Sequence, residues 1–155
     1  MHKEMRRKDR KLSEEITEKL LDQSIYGILS TSDPDSYPYG TPLNYVYSDG
    51  NIYFHCAKDT GLKIENIKKN SKVSFTVVGY TNVLSHEFAM EYESAVAFGN
   101  AKEVFDDEKG KALKALIMKY SLDYKDEGMK YIDKFYEKTS VYKIEIDFVT
   151  GKGRI

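Results

Sequence analysis

Cysteine and long apolar runs are almost absent from this chain. A single cysteine, Cys56, excludes an internal disulfide framework and a zinc site built from cysteine pairs. No apolar stretch approaches the ~20 residues that a membrane-spanning helix needs, and the charged start MHKEMRRKDRK precedes no apolar segment of the kind found in signal peptides. We therefore expect a cytoplasmic protein that does not act at a membrane.

An excess of one charge is also missing. The sequence has 24 Lys plus Arg and 25 Asp plus Glu, a net charge of -1, whereas nucleic-acid-binding domains usually carry a basic excess. We therefore expect no nucleic acid among its partners. No HxH or HExxH spacing occurs around His2, His55 and His86, so we expect no metal site.

Linker-like segments are absent as well. Only 3 prolines and 10 glycines occur in 155 residues, and no break in composition divides them. A chain of this length suits one domain, so we expect a single domain over residues 1–155. The 13 tyrosines and 7 phenylalanines favour β-structure.

Apolar periodicity predicts both helices and strands. Helical patterns occupy four segments: residues 13–23, residues 60–70, a segment that begins at Asp106, and residues 126–138. Ser13 and Thr60 are the expected N-caps of the first two helices. Alternating patterns predict six strands, at residues 25–31, 40–47, 52–57, 73–77, 91–105 and 142–148.

The order of these elements predicts an α+β fold. The first three strands follow each other through turn sequences, at residues 32–36 and 48–51, and are expected to form a meander. Residues 79–90 are expected to be irregular, and the terminal GKGRI to be either disordered or a source of basic contacts through Lys152 and Arg154. Because helices do not alternate with every strand, we expect an antiparallel β-barrel of five or six strands, closed or partly closed, with peripheral helices.

One junction between a strand and a helix has the chemistry of an anion site. Lys58, Thr60, Gly61 and Lys63 can bring free backbone N–H groups, a hydroxyl and two ammonium groups onto one phosphate. The same residues also fit an ordinary solvated surface beside a capped helix. Spacing alone leaves both interpretations open.

Two side chains with nucleophilic atoms are not expected to act in hydrolysis. Cys56 shares a strand face with Phe54, which favours a place in the core, and no partner set for a Cys–His hydrolase is visible. The YxSxxxFG pattern around Ser94 lacks the GxSxG elbow of α/β-hydrolases.

The central part of the chain resembles a known family. It reads YPYGTPLNYVYSDGNIYFHCAKDTGLKIENIKKNSKVSFTVVG, and together with MRRKDR, YESAVAFGNA and VTGKGR it is similar to the FMN-binding split-barrel family related to pyridoxamine 5'-phosphate oxidase, most of all to its nitroimidazole-resistance reductase-like branch. The resemblance implies a homodimer of six-stranded split barrels, with FMN in interface grooves that both chains build. The Arg/Lys-rich motif of the parent oxidase appears here as YGTPLN, so oxidation of vitamin B6 phosphates is not expected.

The resemblance also assigns cofactor contacts. The matched residues form three groups: Tyr39, Thr41, Pro42, Leu43 and Asn44 along the flavin ring; Phe54, Cys56, Ala57, Lys58 and Lys63 near the ribityl chain and phosphate; and Tyr92, Glu93 and Ser94, through which the partner subunit touches the cofactor. Gly61, from the anion-site pattern, completes the set. Leu43 fits a core position equally well, and Glu93 fits an outward strand carboxylate.

The activity that the resemblance implies is reduction by a flavin. His55 is the candidate catalytic residue, because it could donate a proton to a small planar acceptor, or polarise its nitro or carbonyl group, while reduced flavin delivers hydride. NAD(P)H is a candidate electron donor. Three alternatives stay open: a purely structural His55, a flavin or haem binder without turnover, and a dimerising β-barrel without cofactor.

Overall fold

This computed structural model describes residues 4–155 of the chain. These residues contain seven β-strands and four α-helices. The strands are β1 (Gly27–Thr31), β2 (Tyr39–Leu43), β3 (Val46–Ser48), β4 (Asn51–Ala57), β5 (Lys72–Leu84), β6 (Ala89–Val104) and β7 (Thr139–Arg154). The helices are α1 (Glu14–Gln23), α2 (Leu62–Lys69), α3 (Asp106–Tyr120) and α4 (Lys125–Phe135). No helix within these residues has the length and apolar character that crossing a membrane would require.

All seven strands belong to one antiparallel sheet, in the order β2-β1-β5-β6-β7-β4-β3. Its two edge strands, β2 and β3, are consecutive in the chain and only Asn44 and Tyr45 lie between them. The Cα atoms of Leu43 and Val46 are therefore at most ~11 Å apart. The sheet must curl until its edges approach each other, which makes it an open barrel. The predicted α+β class with an antiparallel sheet is confirmed.

The strand count and the meander need correction. The sheet has seven strands rather than six, because residues 40–47 divide into β2 and β3. These two strands are not neighbours in a meander, since β2 pairs with β1 and β3 pairs with β4. The apolar alternation runs on through the fully buried Tyr45, so the pattern gives no sign of the break.

Two segments that were expected to lack regular structure are strands. Residues 79–84 continue β5 beyond a register shift between Val78 and Thr81, and residues 89–90 open β6. The terminal GKGR is the end of β7, where Lys152 pairs with Ser94 and Arg154 with Tyr92.

The glycines of this end allow close packing rather than disorder. A Cβ on Gly151 would lie 2.0 Å from Thr17 Oγ1 of α1. Leu12 N also donates a hydrogen bond of 3.0 Å to the Gly151 carbonyl, which holds the start of α1 against β7.

Helices α1 and α2 close opposite ends of the barrel. Helix α1 is capped by Ser13, as predicted, and it contributes Leu20 and Leu21 to the main core. Helix α2 contributes Ile64 and Ile67 at the other end. Each amphipathic helix therefore shields one open end of the apolar interior.

The main core lies on the inner face of the curled sheet. Leu29, Phe75 and Ala97 are directly paired across β1, β5 and β6, and all three are fully buried. On the opposite face, α3 covers part of β3, β4 and β7, where Leu113 and Val141 belong to a second apolar cluster. The sheet thus has an inner face filled by side chains and an outer face that is covered only in part.

Tyr120 fixes the place where the two sheet edges meet. Its hydroxyl accepts a hydrogen bond of 3.1 Å from Tyr45 N and lies 2.8 Å from the Ile25 carbonyl oxygen. It therefore links the segment that precedes β1 to the connection between β2 and β3. The Lys119 ammonium adds a contact, because it stands 4.0 Å from the centre of the Tyr45 ring.

Candidate functional site

The last residues of β4 point alternately to the inner and the outer face of the sheet. Phe54 and Cys56 point into the main core, as their alternation predicts, and the Phe54 ring stacks on Tyr142 at 5.6 Å. His55 points outward and is exposed, and Ala57 is exposed at the end of the strand. The sequence pattern therefore assigns the inward and outward residues of β4 correctly.

A tight loop connects β4 to α2. Gly61, not Thr60, is the N-cap of α2, and its φ of 98° is a conformation that favours glycine. The Thr60 hydroxyl instead donates to the Ala57 carbonyl at 3.4 Å. No side-chain hydrogen bond caps this helix end. Ile64 N and Glu65 N donate to the Gly61 carbonyl, which leaves the N–H groups of Leu62 and Lys63 open to an external acceptor.

Two predicted lysines flank this loop in different ways. Lys63 is half-buried in the first turn of α2, and its ammonium lies 3.9 Å from the point where a side chain on Gly61 would begin. Lys58 is exposed, and its backbone N–H donates to the Lys138 carbonyl at 3.1 Å. The positive charge next to the open helix end is therefore that of Lys63.

Lys63 influences both faces of β4. Desolvation, followed by repulsion from the Lys63 ammonium, lowers the pKa of His55 below its ordinary value. On the inner face, burial raises the pKa of the Cys56 thiol, although Lys63 opposes the shift. At neutral pH these effects favour a neutral imidazole and an unreactive thiol.

The sequence did not identify three residues around the end of β4. Burial, followed by the charge of Glu103, raises the pKa of Tyr142 to about 12, and Asp59 contributes to the same effect. Tyr142 and Glu103 face each other because β7 pairs with β6 at this point. That register is a long-range property with no local sequence signal. Within residues 4–155, no group of three or more His, Cys, Asp or Glu side chains could hold a metal ion.

The predicted residues of β2 lie on an edge strand. Tyr39, Thr41 and Leu43 are half-buried on the side of the core, whereas Pro42 is exposed on the other side. Proline is tolerated there because an edge strand needs hydrogen bonds on one side only. Asn44 is exposed in the connection to β3.

A chain of contacts joins β2 to α2. Asn66 of α2 is buried, and its side-chain amide donates to the Thr31 hydroxyl at 3.0 Å. Thr31 pairs with Tyr39 across β1 and β2. Beside this contact Lys69 forms an ion pair of 2.5 Å with Asp33. The structure thus brings the start of β2 and helix α2 to the same end of the barrel.

The third predicted group lies at the opposite end. Ser94 pairs with Lys152 near α1, whereas His55 pairs with Val141 of the same strand β7. Eleven residues separate these positions, roughly 35 Å along the strand. Tyr92 and Ser94 lie on the outer face, while Glu93 turns toward Gly79. In a single chain, residues 92–94 therefore do not meet the β4–α2 junction.

These features define a class: an open antiparallel barrel with a helix N-terminus that no side chain caps and that lies beside the ammonium of Lys63. The chain belongs to the pyridoxamine 5'-phosphate oxidase family, whose sequence profile matches residues 13–153.

Solved structures share this fold. The chain is 24% identical to a candidate 5-nitroimidazole antibiotic resistance protein from Bacteroides thetaiotaomicron, over 91% of this chain and 84% of that one, with a TM-score of 0.72. It is 25% identical to an FAD-binding protein from Mesorhizobium loti, over 94% and 98% of the two chains, with a TM-score of 0.67. It is 20% identical to an FAD- and haem-binding protein from Mycobacterium smegmatis, over 91% and 71%, with a TM-score of 0.78. Among curated proteins none matches the chain.

Proposed function

We propose that this protein is an FMN-dependent oxidoreductase that reduces a small planar acceptor such as a nitro compound. The observation that carries the proposal is the half-buried Lys63 beside the uncapped N-terminus of α2, at the rim of an open barrel. Family membership and the likeness to flavin-binding structures support a flavin as the ligand. FMN fits because it ends in a phosphate monoester, which a helix N-terminus and an ammonium group bind together.

In this proposal the chain's own residues divide the work of holding the cofactor. The free backbone N–H groups of Leu62 and Lys63, which follow the N-cap Gly61, and the Lys63 ammonium would bind the phosphate. Pro42 and Asn44, exposed at the edge of the barrel, would lie along the ring. When bound, FMN would supply two-electron transfer, for which NAD(P)H is a candidate donor.

His55 is the proposed proton donor to the acceptor. Its ring is exposed on the outer face of β4, one residue from the buried Cys56, so a substrate can reach it from solvent. In its protonated form, an imidazole can donate a proton to a reduced nitro or carbonyl oxygen.

A homodimer completes the proposed site. Tyr92 and Ser94, assigned to the cofactor by the family resemblance, lie at the other end of the same barrel from Lys63. A second copy with its outer face against the first would bring these residues to the open end of its partner. Exposed apolar residues on that face, such as Ile28 and Val78, support an interface there.

Flavin content and turnover test this function together. We expect purified protein, incubated with FMN and desalted, to release about one FMN per chain, and its mass in solution to be that of two chains. Anaerobic addition of NAD(P)H or dithionite should bleach the flavin, and a nitroaromatic should restore its colour while being consumed. A colourless protein after incubation with excess FMN contradicts the proposal.

The alternative is a protein that holds flavin or haem without turnover. The likeness to the FAD- and haem-binding protein from M. smegmatis favours keeping it as the second candidate. A Soret band after reconstitution with haemin, or bound flavin that no acceptor reoxidises faster than buffer does, would support this alternative over the enzyme.

The pH dependence of turnover tests the role of His55. Desolvation and Lys63 both act against the imidazolium, so the pKa of His55 lies below its ordinary value of 6.5. If the protonated ring is the proton donor, the rate of acceptor reduction should rise as the pH falls through this pKa, below pH 6.5. His55→Gln should remove the rise and slow turnover by roughly 10²-fold while FMN stays bound. An unchanged rate profile in His55→Gln would assign His55 a structural role.

A further inference from the structure

The hairpin between β5 and β6 extends beyond the rest of the sheet. β1 pairs with β5 only at residues 74–76, and the last pair between β6 and β7 joins Tyr92 to Arg154. Beyond these points residues 81–84 pair only with residues 89–92. We call residues 81–91 the arm. A two-stranded ribbon of this kind is marginally stable alone in water, so it needs a surface to cover it.

One side of the arm is apolar. Val83 and Met90 are directly paired, and Val83 is 66% exposed. They continue the outer face of the sheet, which includes Val78 and Ser94. The opposite side is polar, because Asn82 donates to Glu91 at 3.0 Å. The arm is therefore amphipathic, and its apolar side faces the same way as the outer face.

Phe88 at the tip is the most exposed large apolar residue of the described chain, at 98%. It also adopts a left-handed backbone conformation, with a φ of 51°, which costs a non-glycine residue of its size free energy. Asparagine or glycine would suit this position better and would not expose a ring. The conflict indicates that the side chain has a partner outside its own chain.

The outer face carries a shallow groove that fits a ring. Its volume is about 300 Å³, and Pro38, Val73 and Phe98 are among its lining residues. Lys72 is the single charged residue in its lining. The arm bears Glu87 and Glu91 but no Lys or Arg, so the charges of arm and groove have opposite signs. Glu87 also pairs with Arg154 of its own chain at 3.2 Å, so it would share its charge between Arg154 and Lys72.

Arm and groove are symmetric about one point of the outer face. Phe88 directly precedes β6 and lies six residues before Ser94, whereas Asn100 lies six residues after Ser94, so each is roughly 20 Å from Ser94. Asn100 pairs with Lys72 at the groove. Two copies can pack outer face against outer face about a two-fold axis next to Ser94, with their β6 strands running in opposite directions. In that arrangement the tip of each arm meets the groove of the other copy.

We propose that the arms are exchanged in a homodimer, with Phe88 of each chain seated in the groove formed by Pro38, Lys72 and Phe98 of the second copy. The proposal rests on the dimer of the proposed function but not on the flavin. In this dimer the arm acts as a clamp that fixes the relative position of the two chains. It thereby fixes the distance between Tyr92 of one chain and α2 of the other.

Disulfide trapping tests the contact. The double variant Phe88→Cys/Ser74→Cys places one thiol at the tip and one in the groove, and these positions are too far apart in one chain to join. We expect mild oxidation to give a covalent dimer that a reductant reverses. The variant Phe88→Cys/Gln23→Cys, with its second thiol in a different pocket beside α1, should not cross-link. Cross-linking to position 23 alone, or to neither position, overturns the assignment of the groove.

Phe88→Asn tests the energetics without harming the fold, because asparagine accepts the left-handed conformation. We expect the dimer to dissociate at a concentration at least about tenfold higher, since two buried rings are lost, while the thermal midpoint at high concentration stays within a few degrees. The matched control Tyr124→Ser, which removes an exposed aromatic ring between α3 and α4, should leave dissociation unchanged. Unaltered dissociation of Phe88→Asn contradicts the clamp.

Flavin content of the same samples separates the two proposals. A dimer that cross-links through Phe88 but never binds FMN would support the clamp and refute the proposed function. A flavin-bound dimer without the cross-link would refute the clamp alone. A monomer at high concentration would refute both.

Discussion

Lys63→Ala should bind FMN about 10- to 150-fold more weakly than the unchanged protein. The substitution removes a charge-assisted hydrogen bond to the phosphate, which is worth ~1.5–3 kcal/mol. Lys63 is half-buried next to the open end of α2, so solvent screens its charge less than that of an exposed lysine such as Lys58. Fluorescence titration of the desalted protein with FMN measures the change.

Riboflavin distinguishes a phosphate contact from a general loss of the site. It has the same ring but no phosphate, so Lys63→Ala should leave riboflavin affinity nearly unchanged and reduce only the preference for FMN. Lys114→Ala is the matched control, because it removes the same charge from an exposed position on α3. Equal losses for FMN and riboflavin would mean that Lys63 supports the fold of the loop and does not touch the phosphate.

The Lys63→Ala protein gives a second signal that needs no flavin. Without the repulsion from the ammonium, the pKa of His55 should rise toward its ordinary value. An NMR titration of the imidazole in the cofactor-free protein measures this shift. No change in the pKa would mean that the two side chains are too far apart to share a site.

Local patterns predicted most of the elements but not their partners. The cap of α1 by Ser13, the inward direction of Phe54 and Cys56, and the long strand β6 all follow from spacing along the chain. The division of residues 40–47 does not, because the apolar alternation continues across Asn44 and Tyr45. Only the sheet order, a long-range property, separates β2 from β3.

The glycines were the other source of error. The terminal GKGR looks like a flexible tail in the sequence, but Gly151 lies where α1 leaves no room for a Cβ. Likewise Gly61 rather than Thr60 is the N-cap of α2, since the loop turns there with a positive φ that a threonine would resist. In both places glycine serves geometry that appears only when distant elements are packed.

The candidate site was predicted in its parts and not in its arrangement. The β4–α2 junction follows from residue types alone, because Lys58, Gly61 and Lys63 at a change from strand to helix can cradle an anion. The place of Tyr142 and Glu103 beside it depends on the register of β6 against β7. The separation of residues 92–94 from Lys63 depends on the same register, and it is the reason that a second chain enters the proposal.

Among single substitutions that add one methyl group to β6, Gly99→Ala should cause the largest loss of stability. A Cβ at Gly99 would lie 2.1 Å from the backbone oxygen of Glu145 and 3.1 Å from Ile144 Cγ2. The nearest atom belongs to the backbone, so it cannot rotate away without breaking pairs between β6 and β7 at their register shift. We expect the free energy of unfolding to fall by about 3 kcal/mol, the upper end of the usual range for overpacking. The thermal midpoint should fall by roughly 6–12 °C.

Gly110→Ala is the control, because it adds the same methyl group in the opposite circumstances. Gly110 lies inside α3, and a Cβ there would meet nothing within 4 Å. Alanine is favoured over glycine in a helix by ~1 kcal/mol, so this variant should melt at the same temperature as the unchanged protein or a few degrees higher. A lower melting temperature for Gly99→Ala together with an unchanged or higher one for Gly110→Ala would locate the strain at the register shift between β6 and β7. A Gly99→Ala protein as stable as the unchanged one would mean that the two strands do not approach each other as closely as the fold requires.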